Sequence, residues 1–143
     1  MAETILTFNE TVPSSRLGAT PPIVIPFGSQ QTIASFSILF DAGTPANNWV
    51  ELNATVGVAA TLSVAQVVFR IFRDGILIFE TRQGMQTANE QFYTVKMTTI
   101  DFNVPQGTHN YTLTVERISS VDDDTASVAG PITFSGIAFG PID

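Results

Sequence analysis

An all-β sandwich is the fold the sequence predicts, and three observations predict it. β-Branched residues and phenylalanine dominate the apolar positions, as they do in strands. Those positions come in short runs that alternate with polar residues, the period of a strand with one buried face. The 10 glycines and 8 prolines punctuate the runs, and no helical repeat is visible. Eight to nine strands in 143 residues fit one antiparallel domain of the jelly-roll type.

The opening residues 1–22 read as an arm or connector separate from a jelly-roll domain at 23–143. Ile5, Leu6 and Phe8 make a short strand, and Pro13, Gly18 and Pro21-Pro22 mark an extended tether. Ile23-Val24-Ile25 follows and is stopped by Pro26 and Gly28. Residues 32–40 alternate Ile33, Ser35, Ser37 and Leu39 with Ala34, Phe36, Ile38 and Phe40. After a loop at 41–48, residues 49–59 put Val50, Leu52, Ala54 and Val56 on a buried face. Gly57 marks a bulge or a close backbone approach.

Asp74-Gly75, set between two apolar runs in residues 67–80, is a hairpin signature, because a type I′ turn needs positive φ at both central positions. Arg70 and Arg73 lie three apart, so an ideal strand sends them to opposite faces. Residues 92–104 form another strand, closed by Pro105-Gln106-Gly107. Tyr111, Leu113, Val115 and Arg117 then alternate with Thr112, Thr114 and Glu116. Gly130-Pro131 opens a last strand over 132–139, in which Phe134 and Phe139 point to opposite faces. A strand apolar on both sides suits a trimer axis or the centre of a monomer core.

Composition excludes several roles. A net charge of −7, with Lys96 as the one lysine, argues against a basic patch for nucleic acid or an anionic membrane. No apolar run approaches the length of a membrane span, and the first ten residues lack the positive start of a secretory signal. There is no cysteine for disulfides or thiolate metal sites. The one histidine, His109, falls in a turn and reads as a solvated side chain. Asp122-Asp123-Asp124 reads as a solvated loop, since consecutive aspartates do not converge on one cation. Asn9, Asn53 and Asn110 begin N-x-[ST] sequons, read as chance in a Thr-rich chain. No catalytic residue, metal ligand or cofactor is expected, and the chain is not read as an enzyme.

The strings WVELNATVGV, VVFRIFRDGILIFETRQG, EQFYTVKMTTIDFNVPQGTHNYTLTVE and VAGPITFSGIAF span about two thirds of the chain. Together they resemble the exosporium protein C group of spore-surface proteins in Bacillus and relatives. The strand order resembles, more distantly, the C1q/TNF-type jelly roll. The resemblance implies a structural protein of the spore surface, made in the mother cell and deposited on an endospore. It implies a homo-oligomer, a trimer or a stacked or helical fibre, with other coat or exosporium proteins as partners.

The separate arm suggests how such subunits join. A strand at 2–12 can add to a sheet edge of a neighbour, its backbone supplying hydrogen bonds and its alternate side chains filling pockets. The same residues can instead fold back as the first strand of their own domain. Ile5, Leu6, Phe8, Phe134 and Phe139 are the candidate interface residues. The rival expectation is a trimeric head that recognises a surface ligand or another coat protein through the loops at 41–48 and 121–130.

Overall fold

Nine strands run through the computed structural model, which describes residues 2–19, 21–60, 64–86, 92–118 and 126–141. They are β1 (Glu3–Ser14), β2 (Ile23–Val24), β3 (Gln31–Phe40), β4 (Trp49–Ala60), β5 (Val64–Arg73), β6 (Ile76–Gln86), β7 (Phe92–Phe102), β8 (Gly107–Arg117) and β9 (Ala126–Pro141). The described residues include no helix. One antiparallel sheet has the order β1-β9-β4-β7, with β2 pairing along part of β9, and the other has the order β3-β8-β5-β6. These are the two sheets of a jelly-roll sandwich.

Alternation builds the core between them. Val50, Leu52, Ala54 and Val56 of β4 meet Phe36, Ile38 and Phe40 of β3, Phe69 and Ile71 of β5, and Leu113 and Val115 of β8. Phe36 lies 4.6 Å from Phe134 of β9, centroid to centroid and tilted, as aromatic pairs prefer. Alternation alone sends Ile33 outward, yet it is buried beside Ala34. The register of β3 slips against β8 between Thr32 and Ala34, and that irregularity turns Ile33 inward.

The Asp-Gly hairpin is present. Arg73 pairs with Ile76 across a two-residue turn, with φ of 50° at Asp74 and 83° at Gly75. Strand β9 differs from the sequence expectation: it begins at Ala126, so Gly130-Pro131 lies inside it. Gly57 of β4 lies against that stretch. The register of β4 against β9 shifts between Val56 and Val58, and a Cβ on Gly57 would overlap the Gly130 carbonyl.

A polar cluster sits among these apolar side chains. Asp101 of β7 is 5% exposed and points between the sheets. It accepts hydrogen bonds from Arg73 Nη1 at 2.7 and 2.8 Å and from the Tyr111 hydroxyl at 2.8 Å. Burial and the neighbouring carboxylate push the Tyr111 phenol well up from its usual range, so it stays a donor. Arg70 takes the opposite face, as the spacing predicts, and bonds Glu80 and Glu116 at 2.6 Å on the outside of the sheet.

Two stability measurements follow from this packing. Gly57→Ala should lower the denaturant midpoint by about 1–3 kcal/mol of stability, because the clash is with backbone, while Gly84→Ala, with open space at its Cβ, stays within about 1 kcal/mol of the parent. Asp101→Ala should cost about 2–3 kcal/mol by leaving the buried Tyr111 hydroxyl and the half-buried Arg73 without their acceptor, against about 1 kcal/mol for Arg70→Ala on the outer face.

Candidate assembly interface

The first twelve-residue strand occupies a sheet edge. β1 pairs antiparallel with β9 in its own chain: Ile5 opposite Phe139, Phe8 opposite Ile137, Glu10 opposite Ser135 and Thr11 opposite Phe134. Among the described residues, no strand pairs with its other edge. Most of its side chains are exposed. A register shift between Ile5 and Thr7 lets Leu6 turn toward the core, where it closes over Gly140. Asn9 reaches across the sandwich and donates to the Ser37 carbonyl of β3 at 2.8 Å.

The candidate interface residues divide between two environments. Ile5 and Phe8 stand on the outward face of the sheet, 59% and 68% exposed. Phe139 shares that face, half-buried and stacked on Trp49 at 6.0 Å. Leu6 is half-buried against the core. Phe134 is fully buried against Phe36, so within this chain it faces the opposite sheet rather than solvent. The outward pair Ile100 and Phe102 of β7, at 41% and 64% exposure, carried no signal in the sequence, where IDF reads as ordinary strand.

The loops at one end of the sandwich are laced together. Asn48, buried at 1%, donates to the Pro45 and Val104 carbonyls and accepts from the Val104 amide, at 2.7–2.9 Å. Gln106 Nε2 donates to the Ala42 carbonyl at 2.9 Å. Two shallow depressions flank this lacing, one against Leu6, Leu39, Asp41 and Thr44, the other against Pro45, Asn103, Pro105 and Gln106. Neither is lined by an aromatic side chain. Asp122-Asp123-Asp124 lies outside the described residues.

His109 differs from the expectation of a solvated turn residue. It lies near the start of β8, and its Nδ1 is 2.6 Å from Asp74 Oδ2, its Nε2 2.7 Å from the Pro105 carbonyl. Both partners are acceptors, and a neutral ring carries one N–H, so the tautomer decides which of the two contacts the ring donates to. The pair ties the β5–β6 hairpin to the β7–β8 loop, and the Asn110 amide adds a bond to Asp74 Oδ1 at 2.8 Å. Among the described residues, no group of three or more His, Asp or Glu side chains is arranged to hold a metal ion.

No family model matches the chain, and no curated protein matches it. The resemblance to spore-surface proteins therefore stands on the quoted strings alone. Among solved structures, the crystal structure of dimeric latent PorU from Porphyromonas gingivalis is similar at 13% identity and a TM-score of 0.49, over 92% of this chain and 12% of that one. The chain thus spans about an eighth of that protein's length, and a likeness this faint bears on neither mechanism nor partner.

The Asp74 contacts have a sign in pH. The bond to His109 and the Asn110 amide hold its carboxyl below the ordinary value of 3.8. A lowered carboxyl contributes stability that is full above the unfolded value and is lost as pH falls through the folded one. The stability gap between the parent and Asp74→Asn, read from denaturant midpoints, should be at its full size above about pH 5 and close as the pH drops below about 4.

Proposed function

We propose that the chain is a self-assembling structural subunit of the bacterial endospore surface, in the exosporium layer or an appendage fibre, and that β1 of one subunit is delivered to β9 of the next. The spore assignment rests on the sequence resemblance. The joining mechanism rests on one observation: β1 is an edge strand held chiefly by one ladder along β9. The segment at 15–22 that follows it includes Gly18 at a φ of 74° and Pro21-Pro22.

A strand with this attachment can be exchanged between copies. The ladder Thr4–Gly140 to Thr11–Phe134 makes the same hydrogen bonds whichever chain supplies β1. Exchange therefore costs the domain little enthalpy, and the balance is set by linker geometry and concentration. Handing β1 onward in one direction makes a head-to-tail contact that does not close, and that extends into a fibre. Folding β1 back gives the discrete particle of the rival reading, a closed trimeric head whose ligand would sit in the depressions beside the 41–48 loop.

The lack of any cysteine makes the distinction direct. Glu10 and Ser135 are paired across the seam, close enough for a disulfide when both are replaced by cysteine. Oxidised full-length Glu10→Cys/Ser135→Cys protein should run as a ladder of covalent multimers on a denaturing gel, and the parent should form long fibres in negative stain. Antibody to the chain should label the outside of intact endospores. Monomer bands alone would refute strand exchange, and unlabelled spores would refute the location.

A further inference from the structure

Residues paired across a sheet share a face. Following the ladders from β1 to β7 gives two successive rows on the outside of the five-stranded sheet. The first is Ile5, Phe139, Trp49 and Phe102; the second is Phe8, Ile137, Glu51 and Ile100. Seven of the eight are large and apolar, and four of these are more than 40% exposed: Ile5, Phe8, Ile100 and Phe102. The rows cross the sheet from edge to edge. Beyond them lie Glu10, Ser135, Asn53 and Thr98, then Thr133, Thr55 and Lys96.

We infer that this face is a second contact between copies of the chain, separate from the β1–β9 seam. The inference rests on the reading of the chain as a self-assembling subunit and deepens it by naming the surface that packs. Three features select a second copy as the occupant. Charge is the first. Copies carrying −7 repel one another, so they meet where charge is missing. The two rows hold one anion, Glu51; the rim of the same face carries Glu3 and Glu10 on β1 and Lys96, the chain's one lysine, on β7. A second copy thus brings a cation as well as anions to the contact.

Area is the second feature. Four strands about 4.8 Å apart and two rows about 7 Å apart give an apolar footprint of roughly 300 Å² once side-chain width is added. That is the size of a functional patch, and it is too small to be a whole interface of about 800 Å² per partner. With the Thr, Ser and Asn rows around it, the face has the apolar centre and polar rim of a standard interface. The third feature is continuity. Ile5 and Phe8 lie on β1, so the contact and the strand seam share residues, and passing β1 to a neighbour completes the face from two chains.

Trp49 is the one tryptophan and stands within the first row, which makes it the reporter. In full-length protein, acrylamide quenching of its fluorescence should fall several-fold as sedimentation velocity shows association over a hundredfold concentration range. Ile100→Glu/Phe102→Glu alters two exposed edge-strand side chains. It should stay folded by circular dichroism, and Trp49 should remain fully quenchable at concentrations where the parent is shielded. Strand exchange by itself replaces β1 with an identical β1 and leaves Trp49 as accessible as before. Association with unchanged quenching, or shielding that survives the double substitution, would therefore overturn the face contact.

The cysteine pair of the seam separates the two ideas. A covalent ladder without Trp49 shielding leaves strand exchange standing and removes this inference. Shielding without a ladder does the reverse. A chain that stays monomeric and shields Trp49 only when phospholipid vesicles or a spore-coat extract are added has another occupant on the face, and the homotypic assignment fails.

Discussion

The position of one carboxylate decides which way the outer end of β7 faces. Asp101 is held between the sheets by Arg73 and Tyr111, from β5 and β8 of the other sheet. Apolar burial alone does not prefer that arrangement. In Ile100-Asp101-Phe102 the polar residue points in and its two apolar neighbours point out. Side chains alternate with period two, so the inward aspartate and the outward aromatic are one fact seen from two sides. A buried ion pair is weak evidence of net stability, yet it is a strong discriminator, because every other register strands the arginine. Here it fixes β7 against β4, and through that pairing the exposed rows of the five-stranded sheet.

The same constraint marks where sequence reasoning stops. The strands, the Asp74-Gly75 hairpin, the close approach at Gly57 and the opposite faces of Arg70 and Arg73 are local facts, written in alternation and turn chemistry. The fate of Asp101 is not local: its partners are 28 and 10 residues away, and nothing in the strand announces them. Ile33 is buried by a bulge that exists only in its pairing with β8. His109 reads as a turn residue because the Asp74 it contacts is 35 residues earlier in the chain. β9 starts earlier than Gly130-Pro131 suggests because Ala126 to Val128 pair with β4 and β2, strands far from it in the chain.

For the candidate interface, the sequence marked Ile5, Phe8 and Phe139, all on the outward face, and Leu6, which turns toward the core. It paired them with Phe134, whose side chain lies in the core instead. Both phenylalanines of β9 belong to an apolar strand, and composition cannot say which of its faces meets a second sheet. Trp49, Ile100 and Phe102 were legible only as members of ordinary strands, since an exposed row is assembled from residues distant in the chain. Sparse charge was the one compositional sign. Ion pairs form at the Arg70 cluster and around the hairpin, and within the two rows that cross the other sheet Glu51 is the one charged side chain.

The pairing of the first strand with the ninth also sets a clock. A ribosome that has made Ser14 must add about a hundred residues before Ala126 emerges, on the order of ten seconds at ordinary elongation rates. Throughout that interval β1 has no partner in its own polypeptide, and closing so long a loop is slow even afterwards. On a crowded polysome, the nearest finished β9 belongs to the chain ahead. Whether a given copy closes on itself or clasps its predecessor is then a race between translation and encounter, settled while the protein is being made.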